Sequence, residues 1–384
     1  MSRFARNRRV FFIEEPVYDS TGPVLQTSTC PQTGVCIVTP HLLSDANRNQ
    51  ELEQLLRAFA VANSIDTPVV WFYTPMALEF FPQSIVPAAV VYDCMDELSM
   101  FKGAPSQLHM LEKFLMQKAD LVFTGGVSLF EAKRKNHNRV YPFPSGVDLK
   151  HFARARCLPA DFNEHAGMPR PRLGFAGVID ERINLSLVDE VAARRPEWQI
   201  VMIGPVAKIS PDSLPQRPNI HWLGMKDYAD LPKYFAGWDA GIMPFALNEA
   251  TRFISPTKTP EYLSAGLPVV STSIRDVVRP YGELGLAKIA DAADEFIAAA
   301  EQVMNVHLCL KWRERKDEFL KGISWDSVWE RMDQLIQNAV SDKSLGMSSG
   351  VAAAATAAAI TECEEADKLP SFDIFSALAS VARV

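Results

Sequence analysis

Residues 238–272 read WDAGIMPFALNEATRFISPTKTPEYLSAGLPVVST, and the reading of this stretch decides the fold. An apolar run, WDAGIMPF (238–245), gives way to a polar loop. Pro260 then suits the first turn of a helix that ends at Ala265-Gly266, and a second apolar run, LPVVST (267–272), follows at once. A strand, a loop, a short helix and a strand apolar throughout make one unit of a buried parallel sheet, because only strands covered on both faces lack polar alternation.

The same rhythm extends outward. LGFAGVI (173–179), WQIVMIG (198–204), NIHWLG (219–224) and LAKIA (286–290) read as further strands, with helices at Leu185–Arg194, Leu231–Ala236, Thr259–Ala265 and Asp294–Val303. Upstream, VFFI (10–13), VCIV (35–38), VVWFY (69–73), AAVVY (88–92) and DLVFTG (120–125) do likewise, with helices over Asp45–Asn63 and Ser106–Lys118. The proline-marked passage VYPFPSGVDLKHF (140–152) separates the two series. The expectation is an α/β protein of two doubly wound units, residues 1–145 and 146–325, facing a cleft where strand ends meet a ligand. A helix over 326–340 and a low-complexity tail over 341–384, expected to be disordered, complete the chain.

Composition narrows the function. A chain of 384 residues exceeds what one core organises, so two domains are expected. Its 39 basic against 46 acidic residues argue against a polyanion binder, and nucleic acid is not an expected partner. Six cysteines without CxxC spacing and seven histidines without ligand spacing suggest neither a metal cluster nor a disulfide framework, and a reducing cytoplasm fits. No run approaches the roughly 18 apolar residues of a membrane span.

The loop and helix of the opening stretch hold the residues best placed for chemistry. Ser255, Thr257 or Thr259 can cap the helix, its free amides can bind phosphate, and Lys258 adds a point charge. Glu261 either complements the helix dipole or holds the hydroxyls of a nucleotide's ribose, and Lys258 is correspondingly a phosphate partner or a solvated side chain. Gly177 closes Gly174-Phe175-Ala176-Gly177 and either faces a phosphate or packs under a helix; the GxGxxG spacing of a dinucleotide site is absent. Asp180, Glu181 and Arg182 either cap the next helix or reach into the cleft.

In the first unit, Tyr92-Asp93-Cys94-Met95-Asp96-Glu97 follows the strand AAVVY, so Asp93 and Asp96 stand at a strand's C-terminal end. Either is a candidate general base for an acceptor hydroxyl, and one of them serves equally well as a helix cap. Gly125-Gly126-Val127-Ser128 ends the next strand; it lines the cleft or is simply a tight turn into a helix.

The order GFAGVIDER (174–182), IGP (203–205) and NEATRFISPTKTPEYLSAGLPVVST (248–272), with PSGVDLKHF (144–152) upstream, resembles glycosyltransferases of the GT-B fold. The likeness is to the GT4-like group related to teichuronic-acid and polysaccharide-assembly transferases, and it covers nearly residues 1–340. It implies transfer of a hexose, with retention, from a nucleotide-sugar donor to a lipid-linked or polysaccharide acceptor at the inner face of the cell membrane, without cofactor or metal. On this likeness Glu261 binds ribose, Lys258 and Arg252 face the diphosphate, and Gly146, Asp148 and Phe152 match the hinge element, with Ser145 in place of its usual asparagine.

Two departures accompany the resemblance. The family's paired glutamates would place an acid eight residues before Glu261, but Phe253 stands there, so that role falls to Glu249 or Asn248 or is absent. The family's first strand precedes the helix that MSRFAR would end, so an opening strand is expected to be missing. Two competing readings share the architecture: a nucleotide-sugar 2-epimerase, and a non-catalytic nucleotide-binding partner protein.

Overall fold

The computed structural model describes residues 1–19, 21–101, 103–161, 165 and 167–353. Residues 1–339 form one compact unit, and within the second, 340–384, residues 340–353 are helical. The end of the tail, residues 354–384, lies outside the described residues, as does the disorder expected of it.

The strands in chain order are β1 (Phe11–Ile13), β2 (Val17–Tyr18), β3 (Val24–Thr29), β4 (Cys36–Leu42), β5 (Val69–Phe72), β6 (Ala89–Cys94), β7 (Leu121–Thr124) and β8 (Val140–Pro142). They continue with β9 (Arg172–Ala176), β10 (Gln199–Ile203), β11 (Ile220–Trp222), β12 (Ala240–Met243), β13 (Val269–Ser271) and β14 (Ala287–Ile289). The helices are α1 (Arg48–Ala62), α2 (Leu108–Lys118), α3 (Val127–Lys133), α4 (Leu149–Ala153), α5 (Leu185–Arg194), α6 (Leu231–Ala236), α7 (Lys258–Ala265), α8 (Arg275–Val277), α9 (Ala293–Val303), α10 (Leu310–Lys321) and α11 (Trp325–Ala353).

All six strands expected after residue 170 form, in one parallel sheet of order β11-β10-β9-β12-β13-β14. The order reverses direction between β9 and β12, so the loops leaving their C-terminal ends diverge and open a crevice there. Those loops are stitched together: the Asn184 amide donates to the Pro244 carbonyl at 2.8 Å and the Ala246 amide to the Arg182 carbonyl at 2.8 Å. Under the sheet, Tyr262 of α7 is fully buried, and its hydroxyl oxygen accepts the Ala176 amide of β9 at 2.8 Å. Gly266 ends α7 at φ +90°, a conformation open to glycine, and lets Leu267 turn straight into β13.

The first half differs from expectation. Its strands fall into two sheets: β5-β6-β7-β8, parallel throughout, and β4 flanked by β1 and β2 in line on one edge and antiparallel β3 on the other. β1 pairs with β4 and is not hydrogen-bonded to β5. The hairpin β3–β4 arises because VLQTST, read alone, has little apolar alternation and gains its strand form from pairing with β4. Two apolar clusters result, one around Val90, Tyr92, Leu115 and Val122, the other around the β9–β14 sheet. α10, unread in a sequence as charged as LKWRERKDEFLK, is anchored by buried Trp312 and Leu320. The last helix runs past residue 340 to Ala353, so residues 341–353 are helical rather than tail.

Candidate active site

The candidate site is built on the crevice at the sheet's reversal. β12 ends in a loop whose Asn248 closes a capping box: its Oδ1 accepts the Thr251 amide at 3.1 Å while the Asn248 amide donates to the Thr251 hydroxyl at 3.0 Å. The Asn248 side-chain amide donates to the Glu181 carbonyl at 3.0 Å, tying this loop to the one leaving β9. Asn248 thus shapes the crevice wall. Glu249 and Arg252 form a loose exposed pair at 3.4 Å, and the Arg252 guanidinium lies over the Phe253 ring at 5.2 Å. Phe253 itself packs against the apolar cluster of the first half, which gives its place in the loop a physical reason: an acid there would be desolvated against that cluster.

Lys258 and Glu261 lie one turn apart at the start of α7, with Lys258 Nζ 2.7 Å from Glu261 Oε2. Glu261 is 9% exposed. Burial pushes its carboxyl up from the ordinary value, while Lys258, His151 and Thr257 pull it back. Because Tyr262 beside it is locked under the sheet, Glu261 has a fixed place on the helix. His151 of α4 stacks on Tyr228 at 4.3 Å between ring centroids and is bonded to the Tyr228 carbonyl, adding an aromatic pair to this corner that single-sequence reading missed.

Other candidates turn out to support rather than line the crevice. The Gly177 amide donates to the Ile203 carbonyl at 2.8 Å, and a Cβ on neighbouring Gly204 would overlap the Gly177 carbonyl. Gly177 therefore offers clearance and not a free amide. Asp148 caps α4, its Oδ1 accepting the His151 amide at 3.0 Å. Gly146 lies where a Cβ would come within 2.9 Å of the Trp325 ring, at the bridge between Val147 and Ser324.

In the first half, Asp93 is buried at the end of β6, 4% exposed. Its Oδ2 accepts the Trp71 indole N–H at 3.1 Å, and its Oδ1 has no hydrogen-bond partner among the described residues. Burial pushes its carboxyl up to about 7, against the opposing pull of Trp71 and the Met1 amino group. The end of β6 is braced from below, where buried Lys133 reaches Glu97 and Glu112, each at 2.7 Å, and the Tyr92 hydroxyl donates to Glu112 at 2.8 Å. Asp96 is raised by burial and drawn back by Arg182. That guanidinium, on the loop after β9, makes a bidentate pair with Asp180 at 2.9 and 2.7 Å. Asp96 and Glu249, 153 positions apart in the chain, line one small crevice with Phe253 and Ile254. Among the described residues no group of histidines, cysteines and carboxylates could hold a metal ion.

The family model described as glycosyl transferases group 1 matches residues 170–305. This segment is a group 1 glycosyltransferase domain. TuaH of Bacillus subtilis (strain 168), assigned by its name to teichuronic acid biosynthesis as a glycosyltransferase, is 26% identical over 266 residues. That match covers 63% of this chain and 65% of the relative, just under two thirds of its length.

Among solved structures, a UDP-forming α,α-trehalose-phosphate synthase from Burkholderia xenovorans superposes with a TM-score of 0.62 at 13% identity, covering 87% of this chain and 95% of that one. Sucrose-phosphate synthase from Thermosynechococcus elongatus gives 0.59 at 15%, covering 89% and 91%. Anabaena HepE, in complex with UDP and glucose, gives 0.56 at 12%, covering 80% and 87%. At such identities the likeness carries the fold alone, and that fold is GT-B. Within the glycosyltransferase domain fall the loops after β9 and β12 and the start of α7.

Proposed function

We propose that this chain transfers a hexose from a nucleoside-diphosphate sugar to a lipid-linked or polysaccharide acceptor, with retention, in the assembly of a cell-surface glycan. One observation carries the reading: the start of α7, with Lys258 and Glu261, stands at the strand-order reversal of a group 1 glycosyltransferase domain. In this reading residues 146–325 hold the donor and residues 1–145 the acceptor. Glu261 accepts the ribose hydroxyls, freeing Lys258 to meet the diphosphate with Arg252. These cations stabilise the charge that grows on the leaving group as the glycosidic bond breaks. Asp93, whose proton is held near neutral pH, accepts the acceptor's hydroxyl proton, and Asp96 with Glu249 orients the sugar where the halves meet. No cofactor or metal has a part in it.

The acceptor's lipid would bring the enzyme to a membrane, as a peripheral and otherwise cytoplasmic protein. α2 offers a face for this, with Met110 and Phe114 exposed at 55% and 49% beside exposed Lys113 and Lys118. No helix among the described residues is long and apolar enough to cross a membrane.

The deciding experiment is a thermal-shift screen of the chain against nucleoside diphosphates, followed by product analysis with matching sugar donors. Stabilisation by UDP or GDP is expected, since a ligand of the native state raises the melting temperature. No shift with any of the common nucleoside diphosphates would sink the donor site, and sugar epimerised without an acceptor would point to an epimerase.

A further inference from the structure

A tight turn is enough to explain Gly125-Gly126 from sequence, but in the structure the pair is wedged between the two halves. A Cβ at residue 125 would overlap the Met95 carbonyl oxygen, in the turn that carries Asp93 and Asp96. A Cβ at residue 126 would overlap Oδ2 of Asp276 and come within 2.8 Å of Ser255, three positions before Lys258. The glycines thus let the Met95 turn pack directly on residue 125 and the Asp276 and Ser255 side chains of the second half pack directly on residue 126.

Asp276 holds the other side of this contact. It lies on α8, in the second half, and is 5% exposed. Its Oδ1 accepts the Ser128 amide at 2.9 Å across 148 positions of chain. Gly126, at the cap position of α3, has no side chain to satisfy that amide, so the cap comes from the opposite half. At the rim of the same contact, Arg275 pairs with Glu131 of α3. Burial disfavours the Asp276 carboxylate and the Ser128 bonds offset it, while its Oδ2 has no hydrogen-bond partner among the described residues. Such an arrangement adds little net stability, so its consequence lies in geometry.

We infer that Asp276, acting against Gly126 and Ser128, is a positioning residue that sets the spacing between the Asp93–Asp96 turn and the Ser255–Glu261 loop, and so aligns acceptor with donor. The inference rests on the transferase reading above. The residues read as holding the nucleotide, Arg252, Lys258 and Glu261, all lie in the second half, so loosening the contact leaves nucleotide binding intact. It separates the reacting groups instead, and a misplacement of about 1 Å can cost about a hundredfold in rate.

In the 384-residue chain, Asp276→Ala should lower kcat by about tenfold to a hundredfold while UDP or GDP affinity stays at the wild-type value. Small-angle scattering should show a more extended particle. Asp276→Asn keeps an oxygen for the Ser128 amide and should recover most of kcat, whereas Gly126→Ala, forcing the contact apart from the other side, should reproduce the loss. Wild-type kcat and scattering in Asp276→Ala would overturn the inference, and so would a loss of nucleotide affinity as large as the loss of kcat. Should Asp276→Ala fail to fold, Gly126→Ala against Asp276→Asn makes the same comparison. If the wild-type chain turns over no sugar donor, the transferase reading fails, and the scattering of wild type against Asp276→Ala still decides whether Asp276 holds the halves together.

Discussion

Lys258 Nζ lies 2.7 Å from Glu261 Oε2 at the start of α7, so the cation and the carboxylate of the candidate donor site neutralise one another when no ligand is there. A nucleotide that occupies Glu261 with its ribose hydroxyls frees the ammonium for the diphosphate. Glu261→Gln should therefore weaken UDP or GDP binding by about 1.5–3 kcal/mol, the range for hydrogen bonds to charged groups, with the fold intact by circular dichroism. Titration calorimetry reads this directly, and unchanged affinity would return Glu261 to the role of dipole partner.

The carboxyl of Asp93 gives two pH signatures of opposite sense. Its proton is held to about 7 in the folded chain against an ordinary value of 3.8, so the folded state binds the proton more tightly. Stability from this group is complete below the ordinary carboxylate range and declines as pH rises toward 7. Activity runs the other way, because a base must be ionised: kcat/KM should rise to a plateau above pH 7. Asp93→Asn should abolish transfer and flatten the stability decline in urea titrations between pH 4 and 8. A rate profile level across pH 6–8 would remove Asp93 from the chemistry.

Tyr262 anchors the helix that carries Glu261. Tyr262→Phe strands the buried Ala176 amide and should cost about 1–3 kcal/mol, whereas Tyr262→Ala also opens a cavity and should cost about 3–5 kcal/mol. Denaturant midpoints measure both. Equal stability of wild type and Tyr262→Phe would mean that the Ala176 bond contributes nothing.

For the membrane face, flotation with phosphatidylglycerol vesicles should retain the wild-type chain and release the Met110→Ser, Phe114→Ser double variant. Binding should fall with added salt, since Lys113 and Lys118 act through screened attraction. Equal recovery of both proteins, or equal binding to phosphatidylcholine alone, would count against α2 as the contact.

What the sequence determined by itself was whatever local pattern encodes. The six apolar runs after residue 170 became the six strands of one sheet, and Pro260 and Gly266 bounded a helix, because continuous burial and helix ends leave their marks within a few residues. The motif order around Glu261 was equally legible, and the family match falls on that region. Tertiary structure alone decided the rest. VLQTST is a strand only because Cys36–Leu42 lies beside it. Asp93 is an unusual acid only because burial at the end of β6 excludes water from it, against the opposing bond from Trp71. Phe253 and Gly126 have their reasons in partners from the opposite half, the first-half apolar cluster for Phe253, Asp276 and Ser255 for Gly126. Contacts between residues more than a hundred positions apart leave no period or spacing in the chain, so the meeting of the two halves is written only in three dimensions.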